Sequence, residues 1–220
     1  MLVREGDLRG RRVLEVGCGT GRLAAALAER AYAKVWAVDA SPEMLAVARE
    51  RAPKGVAFKE ARAEALPFRD GWFERAVAVL VVHVVDRPGA FAELRRVLGS
   101  DGRLVIATFD PAHVRDYWLN RYFPSIGEID LERFAPADVL VAELRAAGFA
   151  AVRTVSLEQR KTIDRETALE RIRGRHISTF DLVDEGELEA GLNRALEELP
   201  HEVEYRIEWL IVAASSSSGS

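Results

Sequence analysis

An apolar stretch, Val13-Leu14-Glu15-Val16, runs straight into three alternating glycines, Gly17-Cys18-Gly19-Thr20-Gly21, and a helix-compatible segment follows from Arg22. A second apolar stretch, Val35-Trp36-Ala37-Val38, ends on Asp39. A strand, a glycine loop opening a helix, and a carboxylate closing the next strand make a nucleoside-binding half-site. The glycines let a ligand approach the backbone, the helix start offers unpaired N–H groups, and the carboxylate can receive both ribose hydroxyls.

Two details select the nucleoside. The dinucleotide pattern places its third glycine where this chain has Arg22, and the glycine here is Gly21 instead. Glu15 stands on the strand just before the loop, where it would repel a pyrophosphate and attract an ammonium or a sulfonium. With these residues the chain resembles the class I S-adenosylmethionine-dependent methyltransferases, in particular the small-molecule branch related to the quinone-biosynthesis enzymes. Further blocks carry the resemblance: Asp39-Ala40-Ser41-Pro42-Glu43-Met44-Leu45, Ala61-Arg62-Ala63-Glu64-Ala65-Leu66-Pro67-Phe68, the stretch Glu74 to Val85, and Val97-Leu98-Gly99-Ser100-Asp101-Gly102-Arg103-Leu104. They occur in order over roughly the first half of the chain.

Strands and helices alternate. Strands are expected at Arg12–Val16, Lys34–Val38, Val56–Lys59, Arg75–Val82 and Gly102–Phe109, with helices at Gly21–Arg30, Pro42–Arg51 and Pro88–Leu98. Ser41, Pro42 and Glu43 form a good helix start. The apolar run Ala76 to Val85 reads as a strand buried on both faces. A later helix, Pro136–Ala147, ends at Gly148, and strands near Ala151–Leu157 and Val203–Ala213 complete the set. This pattern predicts an α/β fold with a doubly wound, mostly parallel sheet. The resemblance implies seven strands, the last antiparallel, with helical lid insertions. One methyltransferase domain over residues 1–214 is expected, with insertions at about 110–135 and 164–200 covering the site, because only about a dozen residues precede the first strand. Residues 215–220, mostly serine, read as a low-complexity tail outside the fold.

The formal net charge of −4 argues against nucleic acid as a partner. The apolar run Ala76 to Val85 is about half the length that crosses a bilayer, so no membrane span is expected. One cysteine, Cys18, and no recognisable signal peptide point to the cytoplasm. No residues have metal-ligand spacing. Oligomeric state is not legible.

The resemblance implies S-adenosylmethionine as cofactor, bound by Glu15, Gly17, Cys18, Gly19, Gly21, Asp39, Ala40, Met44, Arg62, Ala63, Glu64, Val79 and Leu80. Glu15 and the Gly17 region would serve the methionine end and Asp39 the ribose, while Met44 either packs on the adenine or faces the core. Many relatives carry Asp or Asn where this chain has Arg62, and a guanidinium cannot accept a hydrogen bond. Adenine recognition then falls to the Ala63 N–H and Glu64, leaving Arg62 to stack on the purine or turn to solvent. His83 is either a packed residue or a substrate-side base. Tyr117, Trp118, Tyr122 and Phe123 are either a satellite core or an apolar substrate wall. Arg171, Arg173, Arg175 and His176 read as a solvated helix face, with anion binding the lesser alternative.

The reaction implied is attack by a small-molecule O, N, S or C nucleophile on the sulfonium methyl, with the protein aligning the acceptor and excluding water. The alternatives are a nicotinamide-dependent oxidoreductase, against which Arg22 and Glu15 count, and a non-catalytic S-adenosylmethionine-binding module.

Overall fold

In the computed structural model of the chain, residues 2–217 are described, with the side chain of Leu2 excepted. They form seven strands and nine α-helices: α1 (Leu2–Gly6), β1 (Arg12–Val16), α2 (Arg22–Ala31), β2 (Lys34–Asp39), α3 (Pro42–Glu50), β3 (Val56–Glu60), β4 (Phe73–Val79), α4 (Arg87–Val97), β5 (Leu98–Phe109), α5 (Pro111–Arg115), α6 (Pro124–Arg133), α7 (Ala137–Ala146), β6 (Ala151–Asp164), α8 (Arg165–Arg173), α9 (Glu185–Glu198) and β7 (Glu202–Ser215). The sheet order is β3-β2-β1-β4-β5-β7-β6. Strands β1 to β5 pair in parallel. Ser216 N donates to Gly102 O and Asp110 N to Glu208 O, so β7 runs antiparallel to β5. Ala150 N to Ser215 O and Arg165 N to His201 O likewise set β6 antiparallel to β7. The last strand in the chain is therefore the antiparallel one.

Two compact units divide these elements. The first holds Met1–Thr108, Ala137–Val155 and Leu210–Ser220. Its centre is the buried middle of β1, β4 and β5: Val13, Leu14, Ala76, Val77, Leu104 and Ile106 are sealed from solvent. Strands buried on both faces need this continuous apolar character. Helix starts follow local chemistry. Ser41 Oγ accepts from Met44 N at 3.1 Å to cap α3, and Asp86 accepts from Gly89 N at 3.1 Å to cap α4.

The second unit holds Phe109–Pro136 and Ser156–Trp209. It is made of the two insertions and the adjoining lengths of β6 and β7. Leu119, Phe123, Ile126, Leu169, Phe180 and Ala195 form its own core. Gly191 lets α9 pack closely there, since a Cβ at that position would sit 2.7 Å from Tyr122 O. What the sequence presents as two separate insertions is one packed body.

Several boundaries differ from the sequence expectation. The run Ala76 to Val85 is not one strand: β4 stops at Val79, because Leu80 takes a left-handed φ of 50° and turns the chain. Leu80 N donates to Ala107 O at 2.8 Å, and Val84 N closes a turn on Val81 O at 3.0 Å. β5 begins four residues early, at Leu98, pairing with Phe73 before a register shift leads to the Arg75–Arg103 pair. β6 runs to Asp164 rather than Leu157. Ser215 belongs to β7 and Ser216 bonds to Gly102, so the start of the serine tail is part of the fold. The rest of that tail, 218–220, lies outside the described residues.

At the amino ends of the parallel strands, Arg75 is 6% exposed. Its guanidinium donates to Asp7 Oδ2 at 2.6 Å, Asp7 O at 3.2 Å, Glu74 O at 2.8 Å and Asp101 O at 3.3 Å. It thereby ties the chain after α1 to β4 and to the first part of β5. Arg75→Ala should lower stability to urea unfolding by about 2–4 kcal/mol, the scale for removing one partner of a buried charged network. A variant as stable as the parent would show that these four contacts carry no net weight.

Candidate active site

The sheet order reverses between β1 and β4, the switch point at which open α/β sheets bind ligands beyond the strand carboxyl ends. Three loops leave the sheet there. The first is the glycine loop after β1. Gly17, Gly19 and Gly21 have φ of 71°, 51° and 74°, a left-handed backbone that side-chain-bearing residues adopt at a cost. The loop is anchored from below, with Gly17 N and Cys18 N both donating to Val38 O, at 2.9 and 3.0 Å. Gly21 caps α2 with no side-chain hydrogen bond, leaving the helix's first N–H groups without a capping side chain.

Gly17 and Gly19 meet different surroundings. A Cβ on Gly17 would press into Val81, with the Val81 Cβ 2.7 Å away. A Cβ on Gly19 would meet nothing within 4 Å. Gly19 therefore faces an open cradle, while Gly17 is fitted against the loop after β4.

Glu15 lies beneath this loop, 3% exposed. Its Oε2 is buried without a hydrogen-bond partner among the described residues. Burial pushes the carboxyl up to about 8, with the nearby Asp39 charge adding to the rise and the Ala24 N–H opposing it. The same burial, with Glu15 and Asp39 close by, pushes the Cys18 thiol up to about 12, so this cysteine is no nucleophile at neutral pH.

Asp39, at the end of β2, holds the loop: its Oδ2 accepts from Gly19 N at 2.7 Å and its Oδ1 from Ser41 N at 2.9 Å. Each oxygen keeps a further lone pair for a hydroxyl donor. Beyond Asp39, Ala40 is exposed and Met44 is 46% exposed. Of the two readings of Met44, a core role is excluded by that exposure.

The second loop follows β3. Arg62 turns to solvent, its side chain 73% exposed, with Nε 3.4 Å from Glu64 Oε2. Glu64 is largely buried, and its other oxygen accepts from Asp86 N at 2.9 Å, tying this loop to the cap of α4. Ala63 is buried between them in sequence. The third loop follows β4. Val79 is half-buried, Leu80 is 36% exposed with its left-handed backbone, and His83 is half-buried in the turn beyond. Sequence reasoning missed Val81 as the packing partner of Gly17 and Asp86 as the cap that Glu64 engages. The Asp86-Arg87-Pro88 helix-start pattern could have revealed the second.

The aromatic cluster belongs to the second unit. Tyr122 and Phe123 are 3% and 0% exposed in its core, which answers to the satellite-core reading for these two. Tyr117 and Trp118 pack partly buried against that core. Tyr117 OH is 3.4 Å from His176 Nε2, and burial pushes the phenol up to about 12. Arg171 donates to Tyr205 OH at 2.8 Å and Arg175 to Glu185 at 2.9 Å, so these two arginines are engaged within their own unit. His113 is sealed at 3% exposure, and burial pushes it down to about 4.

Relatives bear on this geometry. A family profile described as a methyltransferase domain matches residues 14–106. A demethylmenaquinone methyltransferase of Thermus thermophilus is 37% identical over 163 residues, covering 63% of this chain and 74% of that protein. A ubiquinone/menaquinone biosynthesis C-methyltransferase of Campylobacter jejuni is 30% identical over 165 residues, covering 63% and 70%. An O-methyltransferase of Penicillium expansum is 35% identical over 165 residues, covering 71% of this chain and 58% of that protein. In fold, the chain resembles a putative methyltransferase from an antibiotic biosynthesis pathway of Anabaena variabilis, with a TM-score of 0.77 at 23% identity over 96% of this chain and 94% of that one. No helix among the described residues is long and apolar enough to cross a membrane.

The two glycines should separate folding from binding. Gly19→Ala should cost about 1 kcal/mol in stability for its left-handed backbone, yet abolish calorimetrically detectable binding of S-adenosylhomocysteine, because its methyl fills the cradle. Gly17→Ala should cost more stability, since Val81 must also move. Gly19→Ala binding like the parent would place the ligand elsewhere.

Glu15 makes a pH prediction. A carboxyl raised from 4.5 to about 8 binds its proton more tightly in the folded state. Its contribution to stability is complete below 4.5 and is lost as pH rises through 8. His113 acts oppositely, but only below its ordinary 6.5. Between about pH 6.5 and 8.5 the ligand-free protein should therefore lose stability in urea titrations, and Glu15→Gln should remove that loss. An equal slope in the variant would refute the assignment.

Proposed function

The chain belongs to the class I S-adenosylmethionine-dependent methyltransferases, and from that premise we propose that it methylates a small-molecule acceptor, with the three loops around Glu15 holding the cofactor. The observation that carries the reading is the unmet, buried Glu15 Oε2 on the strand that leads into the glycine loop, together with the open space at Gly19. A buried acceptor with no partner calls for a donor, and a cationic donor also ionises the carboxyl. The cofactor's ammonium is such a group.

The remaining residues fit the same ligand. Asp39 has lone pairs left for the ribose hydroxyls while it holds Gly19 in place. Met44 and Leu80 offer exposed apolar surface to the nucleoside and the methionine chain. Gly17, Gly21, Cys18, Ala40 and Val79 contribute through backbone, where a side chain adds nothing. Ala63 and Glu64 serve the adenine, and Arg62, drawn to Glu64, stays outside. When bound, the cofactor supplies an electrophilic methyl group on a positively charged sulfur. The chain's own work is to orient the acceptor, exclude water and, for an oxygen or carbon acceptor, take up a proton. We assign that proton to His83, the imidazole on the loop after β4.

The names of the quinone-biosynthesis relatives make a naphthoquinol the first compound to test. The single cysteine, held as a buried thiol in the glycine loop, suits the cytoplasm. The net charge of −4 speaks against nucleic acid as substrate.

Asp39→Ala should weaken S-adenosylhomocysteine binding by about 1.5–3 kcal/mol, roughly ten- to a hundred-and-fiftyfold, because it removes charge-assisted bonds to the ribose. Calorimetry with S-adenosylhomocysteine and NAD on parent and variant tests this. An unchanged dissociation constant, or a parent preference for NAD, would overturn the reading.

A further inference from the structure

The sheet ends on β6, which bonds to β7 along one side and has no strand beyond it among the described residues. It is 14 residues long, Ala151–Asp164, against the usual strand length of about five or six. An open edge of that length presents a row of unpaired N–H and C=O groups, a template for one more strand. Proteins blunt such edges with proline, short strands or lysines. β6 has no proline, one lysine (Lys161) and charges of both signs.

Within the second unit this edge reads Ser156-Leu157-Glu158-Gln159-Arg160-Lys161-Thr162. All of these but the half-buried Gln159 are exposed. Glu158 and Arg160 share one face of the strand, two residues apart, and Arg160 Nε lies 3.0 Å from Glu158 Oε1. The arginine side chain is 87% exposed, so most of its guanidinium is open to a second carboxylate. On the other face, Leu157 is 39% exposed and two places from Gln159, as is Lys161 in the opposite direction. The charges and the apolar surface are thus arranged about Gln159 so that the segment is complementary to its own reversed copy.

We propose that β6 pairs with β6 of a second copy of this chain, antiparallel about a twofold axis at Gln159. Residues directly opposite in an antiparallel pair share a face, and a twofold contact repeats each pair. Centred on Gln159, the register sets Glu158 against Arg160 twice, Leu157 against the apolar stem of Lys161 twice, and Ser156 against Thr162 twice. Centring on Glu158 or on Arg160 instead would oppose like charges, which is destabilising. A contact made mainly by one strand from each copy is at the small end of specific interfaces, so a dissociation constant of about 1–100 μM is expected.

Sedimentation velocity on the full chain, between about 1 and 200 μM, should show a monomer–dimer equilibrium in that range. Glu158→Arg puts only positive charges across the axis, and Arg160→Glu only negative ones. Each should weaken self-association about tenfold or more. Mixed in equal amounts, the two variants should form a heterodimer with an affinity within about threefold of the parent's, because each supplies the sign the other lacks. Within each variant the two side chains remain alike in charge, so recovery on mixing reports contact between chains and not a repaired fold. A parent that stays monomeric at about 200 μM would overturn the second copy as occupant and leave the edge to a strand of another protein. Single variants that dimerise like the parent, or a mixture that associates no better than either variant alone, would overturn the register and the surface.

Discussion

A carboxylate buried with one oxygen unmet is an expensive thing for a protein to keep. Glu15 sits on an inner strand of the sheet, between the apolar register partners Ala37 on β2 and Val77 on β4, and burial holds its proton on at neutral pH. Replacing it with an apolar residue would relieve that cost. In the site proposed here, a cation brought from outside meets that oxygen. The loop above Glu15 has to be thin, which is why Gly19 faces open space. It has to be held without side chains on its ligand face, which is why Val38 O and Asp39 grip it from behind.

Asp39 couples two jobs. The carboxylate that clamps Gly19 N is the one proposed to receive the ribose, so in that proposal loop shape and ligand recognition share a single group. Glu64 plays a similar linking part, joining the loop after β3 to the cap of α4 through Asp86 N. Its partnership with Arg62 also explains how a guanidinium is tolerated there: the side chain is drawn outward. The site is thus preorganised by short contacts between loops that sheet order has already brought together.

Legibility from sequence followed the range of the interactions. The glycine loop, the Ser41-Pro42-Glu43 helix start and the alternation of strands and helices are local patterns, and the structure has them where expected. The end of β4 was not legible, because Leu80 takes a glycine-like backbone inside an unbroken apolar run and only the turn geometry stops the strand. The two insertions were legible as segments, but the packing that joins them in the second unit was not. Its core joins Leu119, Phe123 and Ile126 to Leu169, Phe180 and Ala195, residues far apart in the chain and carrying no motif. For Tyr122 and Phe123 the sequence left a satellite core and a substrate wall both open, since nothing local reveals the partners that bury them. Within the site, Glu15 was recognisable as a charge in an apolar strand. That one of its oxygens has no partner is a fact of three-dimensional packing alone.

Glu15 should be neutral without ligand and ionised with it. Calorimetric titration of S-adenosylhomocysteine at pH 7, repeated in two buffers of different ionisation enthalpy, counts the protons released on binding. The parent should release about one proton per ligand bound and Glu15→Gln essentially none. A parent heat of binding that does not depend on the buffer would contradict this, because the ligand would then have met a carboxylate that was charged all along.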